Sequence, residues 1–253
     1  GAQFHGGLSS VRWPQVYHGV VSGLPILYRD RHFVAVYKPP GLLVHRTRIA
    51  RGEHFAMQLL RDQLGCWVYP LHRLDRPTCG TLLFALHREA ARRMMTLFQS
   101  GLVQKDYLAV VRGFAPEQAR IDYPLQEEPG MARQGAITRY RCLAQVELPF
   151  PVGRYPTARY SLLRVQPLSG RLHQIRKHMK HIFHPVVGDT SHGDGAHNRL
   201  FRHQFGCWRL LLMAAGLAFP HPFIDGTVTI EARPDAELAA LFERLGWNLS
   251  QLG

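Results

Sequence analysis

From Leu24 onward the chain switches repeatedly between alternating, continuous and helically spaced apolar residues. In residues 32–45, HFVAVYKPPGLLVH, apolar Phe33, Ala35 and Tyr37 alternate with their neighbours until Pro39, Pro40 and Gly41 interrupt them. This predicts a strand running into a turn. In residues 53–65, Phe55, Leu59 and Leu60 fall at helical spacing and Gly65 supplies a stop, which predicts a helix. Residues 81–87 are nearly all apolar and read as a buried strand, and residues 88–101 are rich in strong helix formers and end on glycine. Strands are predicted over 103–113, 136–148 and 159–167, then an amphipathic helix over 172–182 after a Ser-Gly turn. Residues 209–219 and 227–232 read as late strands, and residues 235–246 as a closing helix with Asp235 as its N-cap.

Strands outnumber helices in this reading, and several follow one another with no helix between. That predicts an α+β fold with a mixed, mainly antiparallel sheet and flanking helices, not a regular βαβ repeat. Residues 1–23 show no clean period and read as a leader, leaving residues 24–253 as one domain. The Pro- and Gly-rich patch at 149–156 reads as a loop.

Charge changes the picture. The 31 lysines and arginines outnumber the 18 acids and give a formal net charge of +13. Such a field attracts polyanions, either nucleic acid or an anionic membrane surface. The longest apolar run, 210–219, falls far short of the ~20 residues of a spanning helix. Cys66, Cys79, Cys142 and Cys207 lie far apart, with no CxxC pair and no disulfide framework, so a reducing cytoplasm is the expected compartment. The densest histidine set, His173, His178, His181 and His184, lacks an HExxH or Cys-His pattern, and no metal is expected. Nor is there a GxGxxG, GxxxxGK[ST] or GxSxG motif to suggest a nucleotide cofactor or an acyl hydrolase.

Two stretches carry candidate chemistry. In LHRLDRPTCG, residues 71–80, Asp75 sits between Arg73 and Arg76. Neighbouring cations favour the charged form of a carboxylate, which suits a nucleophile or an electrostatic stabiliser and does not suit a general acid. The same string also reads as a plain surface ion pair. In SGRLHQIRKHMKHIFHPVVGD, residues 169–189, Arg171, Arg176, Lys177 and Lys180 occur with no acid between Ser169 and Val187. That is a basic face of the kind that neutralises phosphates, and His173 and Gln174 add donors and acceptors. A solvated helix face is the alternative.

Read together, these stretches resemble the motifs of the RluA family of pseudouridine synthases. HRLDRPTCG resembles HRLDxxTSG, and KPPGLLVH (38–45) resembles KPxGxxxH. KDYLAVVRG (105–113) resembles KxYxAxxxG, SGRLHQIRKHM (169–179) resembles TGRxHQIRxH, and HPVVGD (184–189) resembles HPIxGD. The five occur in family order over nearly the whole chain after the leader, and no stretch reads as an S4-type RNA-binding domain.

The resemblance implies a pseudouridine synthase fold with a central cleft. It also implies a redox-neutral isomerisation of uridine within RNA, without cofactor or metal. It makes Asp75 the catalytic aspartate, Arg176 the arginine that pairs with it, and Tyr107 the tyrosine that lies against the target base. Arg73 matches the arginine inserted where the uridine leaves its stack, since the reacting atoms must be flipped out to be reached. Arg76, Arg171, His173, Gln174 and Lys177 are expected to contact substrate. Residues 152–163 and 191–206 point further, to the subgroup acting on uridine 65 of tRNA. A ribosomal RNA substrate, or a non-catalytic RNA-binding relative, is the alternative; a metal-dependent nuclease would need clustered carboxylates. No membrane partner is expected, and a monomer is the default. Two departures stand out: Cys79 replaces the usual serine, and Met213 stands where many relatives have histidine.

Overall fold

The computed structural model describes residues 23–45, 55–127 and 130–248. Of the expected leader, only Gly23 falls within them. Ten strands form one sheet: β1 (Ile26–Arg29), β2 (Phe33–Lys38), β3 (Tyr69–Pro70), β4 (Cys79–Ala85), β5 (Gln104–Arg112), β6 (Gln118–Asp122), β7 (Ile137–Leu148), β8 (Ala158–Pro167), β9 (Leu212–Pro220) and β10 (Thr227–Glu231). Five helices flank it: α1 (Ala56–Leu64), α2 (Arg88–Gln99), α3 (Gln174–His181), α4 (Gly195–Phe205) and α5 (Ala236–Arg244). The strand order is β1-β2-β4-β9-β5-β8-β7-β6, with β10 beside β9 and β3 beside β4. Only the β4–β9 pair is parallel; the others are antiparallel. The predicted α+β class and mixed sheet are what the structure shows.

The two sheet faces carry different cores. On one face, Val34, Val36, Leu82 and Phe84 pack with Ala56 and Leu60 of α1, while Ala109, Val111, Leu163 and Val165 pack with Ile175 and Met179 of α3. On the other face, Phe33, Ala35, Leu83 and Ala85 meet Ala90 and Met94 of α2, while Val110, Leu162 and Tyr160 meet α4 and α5. Between the α1 and α3 clusters the first face is open over the middle of the sheet, and Tyr107 of β5 packs against both.

All six residues of β2 are buried because helices cover both sides. Strand β9 begins at Leu212, three residues later than expected. Strands β1, β3 and β6 and helix α4 were not predicted. The strands are short, and α4 opens on glycine with few strong helix formers. Its signals were its ends: Asp194 accepts from the N–H groups of Ala196 and His197, and Gly206 closes the helix in the left-handed conformation. Asp235 caps α5 as expected, accepting from the Leu238 N–H.

Gly80 fixes the centre of the sheet. It lies at φ +109°, and a Cβ there would stand 2.2 Å from the Ala214 carbonyl oxygen. The backbones of β4 and β9 therefore meet where Cys79 faces Met213 and Gly80 faces Ala214, and a side chain would force them apart.

Candidate active site

Asp75 lies in the connection from β3 to β4, just before the glycine crossing. Its carbonyl accepts from the Thr78 N–H at 3.0 Å, while the Arg76 carbonyl accepts from the Gly41 N–H at 2.9 Å. The Pro39-Pro40-Gly41 turn thus clasps the Asp75 loop. Lys38 locks the clasp from inside: it is fully buried, and its ammonium donates to the carbonyls of Pro39 (3.0 Å), Leu42 (2.8 Å) and Arg76 (3.1 Å). Burial pushes its pKa down to about 7, against the three carbonyls that match its three donors.

The other half of the site comes from α3. Arg176 is 4% exposed and joins two carboxylates. Its Nη1 donates to Asp75 Oδ2 at 3.0 Å, while Nε and Nη2 donate to the two oxygens of Asp189 at 2.7 and 2.8 Å. The expected pairing with Asp75 is present through one prong, while the two-pronged grip goes to Asp189. Asp189 also accepts from the N–H groups of Ser191 and His192. Burial pushes the Asp189 carboxyl upward, but the Arg176 fork and these N–H groups outweigh it and hold its pKa below the ordinary range. Burial opposes the charge on Arg176, and the two carboxylates more than offset it.

His173 begins α3 at φ 56°, a left-handed conformation that histidine tolerates better than most residues. Its Nε2 lies 3.8 Å from Asp75 Oδ2, and its Nδ1 lies 3.0 Å from His192 Nε2. Burial is the main cause of a lowered pKa in both rings. The two rings thus share one hydrogen bond beside the Asp75 carboxylate.

Asp75, Arg73, Arg176 and His173 line both of two adjoining cavities. The first, about 410 Å³, adds Tyr107, Lys105, Arg171, Gln174, His72 and Phe98. The second, about 390 Å³, adds Arg76, His45, Thr190 and Ser191. The first lies in the 300–1,000 Å³ range usual for small-molecule sites. Burial, then the Asp75 charge, raises the Tyr107 phenol above its usual value, which makes it a poorer base still. Lys105 donates to the Ser169 carbonyl at 2.8 Å, and burial lowers its pKa. Arg73 is exposed and has no ion-pair partner among the described residues, whereas Arg76 donates to the Gly41 carbonyl.

Two expected substrate contacts are otherwise employed. Gln174 lines the first cavity, yet its amide is used within the fold. Its Nε2 donates to the Ile137 carbonyl and Thr138 Oγ1, and its Oε1 accepts from Ser169 Oγ and the Arg171 N–H. Lys177 donates to the Gln126 carbonyl at 2.7 Å and lines neither cavity. Arg171 lines the first cavity and donates to the Gly135 carbonyl at 3.3 Å.

The chain matches the RNA pseudouridylate synthase family model over residues 32–181. It belongs to that family. It is 47% identical over 236 residues to tRNA pseudouridine synthase C of Vibrio parahaemolyticus, covering 89% of this chain and 96% of that protein. It is 48% identical over 238 residues to the protein of that name from Haemophilus ducreyi, covering 90% and 98%. The structure of human RNA pseudouridylate synthase domain containing 1 superposes with a TM-score of 0.71 at 23% identity, over 92% of this chain and 98% of that one, which shows the shared fold.

The departures from the family pattern take their place in this synthase. Cys79 and Met213 face each other across β4 and β9, fully buried in the core shared with α4 and α5, and neither lines either of the two cavities. The Cys79 thiol points to the Leu212 carbonyl at 3.9 Å, and burial raises its pKa. The histidines are held by protein groups: His178 between Thr138 and the Tyr123 carbonyl, His181 stacked on Tyr123, and His184 on the Arg112 carbonyl. Sequence reasoning missed Asp189, Lys38 and His192. The first two stood inside the quoted HPVVGD and KPPG stretches. His192 stood inside residues 191–206, the stretch that pointed to the subgroup.

Proposed function

We propose that this synthase isomerises uridine 65 of tRNA, with Asp75 as the catalytic carboxylate. The observation that carries this reading is the buried Arg176 fork, which sets Asp75 at the junction of two cavities, one of them walled by Tyr107. The fork fixes the carboxylate while leaving it 22% exposed to an incoming nucleotide.

In this reading the uridine leaves its stack and enters the first cavity, with its base against Tyr107. Arg73 occupies the vacated stack, helped by its exposure and by having no ion pair among the described residues. Arg76 and Arg171 meet phosphates at the two ends of the cleft. His173 flanks Asp75 on its second side, with Nε2 3.8 Å from Oδ2. Gln174 and Lys177 hold the β6–β7 connection and the start of α3 in place. The raised Tyr107 phenol favours stacking over proton abstraction. The tRNA assignment leans on the curated relatives' names, and the position on the resemblance of residues 152–163 and 191–206.

The experiment is pseudouridine mapping on unmodified tRNA. Wild type forms pseudouridine at one position in the presence of EDTA, and Asp75→Asn abolishes it while tRNA binding persists. Full turnover by Asp75→Asn removes Asp75 from the chemistry, and RNA cleavage stopped by EDTA points to a nuclease.

A further inference from the structure

The face of the sheet turned away from the cleft carries a feature that the reaction does not use. In β7, Thr138 and Tyr140 point toward α3 and are buried; Gln174 donates to Thr138 Oγ1 at 3.0 Å. Side chains alternate along a strand, so Arg139 and Arg141 point the other way, and both are exposed. Arg139 stands opposite Arg120 of β6, and Arg141 stands opposite Arg164 of β8. Ile121 and Val165, next to Arg120 and Arg164, pack in the α3 core, so these arginines share the outer face. The α4 and α5 core covers that face around Val110, Leu162 and Tyr160; Arg120, Arg139 and Arg141 lie beyond it, and half-buried Arg164 stands at its margin beside Leu108 and Leu143.

Like charges directly opposite across two strands destabilise a sheet. This fold carries two such pairs side by side. The acids beside them are Asp122, which pairs with Arg120 at 2.9 Å, Asp106, which accepts from Gln166 at 2.9 Å, and Glu231, which shares a cavity with Asp106 and Arg164. Arg139, Arg141 and Arg164 have no ion pair among the described residues. The sequence outside those residues supplies only two carboxylates, Glu53 and Glu128. All four cations are arginine, whose planar fork fits phosphate oxygens and is less strongly hydrated than an ammonium. Strand β6 is the sheet edge, and the β6–β7 connection beyond it reaches the cleft through Glu127 and the Lys177–Gln126 bond.

We propose that Arg120, Arg139, Arg141 and Arg164 form a second RNA-contacting surface, which holds backbone phosphates of the substrate RNA remote from the reacting nucleotide. This rests on the reading of the protein as a tRNA-modifying synthase, but its test reads binding alone. The probes are an unmodified tRNA transcript and a short stem-loop carrying the target uridine. The variants are Arg139→Gln/Arg141→Gln and, as a charge-matched control on exposed residues elsewhere, Arg31→Gln/Arg88→Gln. The patch variant binds tRNA roughly tenfold more weakly, and the slope of log affinity against log salt falls by roughly 1 to 2. Its affinity for the stem-loop and its single-turnover rate at saturating tRNA stay at wild type. Its melting temperature is unchanged or higher, because a repulsion has gone.

Unchanged tRNA affinity with a raised melting temperature overturns the proposal, since the arginines are then only a cost to the sheet. An equal loss in the control pair, or on the stem-loop, also overturns it. So does patch-dependent binding to anionic vesicles without any change on tRNA. If wild type forms no pseudouridine but the patch variant still loses tRNA affinity and salt slope, the functional reading fails and the surface stands.

Discussion

Arg176→Met separates the role of the buried fork from that of its charge. Methionine fills much of the same volume but donates nothing. Asp189, with a fully buried side chain, keeps only the N–H groups of Ser191 and His192. Removing one partner of a buried ion pair costs about 3–5 kcal/mol. For a chain of this size each kcal/mol lowers the melting temperature by about 2–4 °C, so a fall of roughly 6–20 °C is expected near neutral pH. The pH dependence carries the sign. In wild type the Asp189 pKa is depressed, so the pair's contribution is present above the unfolded value near 4 and is lost as pH falls through the lower folded value. In the variant, burial without the fork moves that pKa upward, so protonation relieves the cost as pH falls. The gap between the two proteins is therefore widest near about pH 7.5 and closes toward about pH 5. Thermal melts followed by circular dichroism at both values test this. A variant melting within about 2 °C of wild type, or a gap independent of pH, refutes the assignment of Asp189 as the anchor of Arg176. Pseudouridine formation falls by roughly 10- to 150-fold, because the unaligned Asp75 loses a charge-assisted bond of ~1.5–3 kcal/mol.

Other substitutions probe separate parts of the site. Burial lowers His72 to about 4 and its Nε2 accepts from the Leu83 N–H, so wild type loses stability as pH falls from 6.5 toward that value. His72→Gln, which keeps an acceptor but does not titrate, flattens this limb in urea titrations; an unchanged limb assigns it to other groups. Gly80→Ala places a methyl against the Ala214 carbonyl and costs more than about 4 kcal/mol, read as insoluble protein or a collapsed melting temperature. A melt like that of wild type shows that β4 and β9 separate easily. Cys79→Ser restores the family residue in a wall that lines neither of the two cavities. It leaves the single-turnover rate within about threefold and shifts stability by about 1 kcal/mol; a tenfold rate change ties Cys79 to the site.

The chain order of elements was legible because each depends on neighbours in sequence. Helix formers and a terminal glycine marked α2, and Asp235 marked the start of α5. Motif order alone also brought Asp75, Tyr107 and Arg176 into one proposed site. What sequence left open was which group each charge faces. Arg73 and Arg76 flank Asp75 in the text, yet the ion pair forms with Arg176, 101 residues away. The fork of Arg176 turns to Asp189, Lys38 points inward at three carbonyls, and Cys79 faces the core. Like-charged arginines on β6, β7 and β8 meet only through strand register. Local propensity acts over a few residues and fixes the elements. Pairing of buried charges is decided by the sheet crossing and helix docking that bring distant segments within about 3 Å, where desolvation makes an unpaired charge too costly to leave.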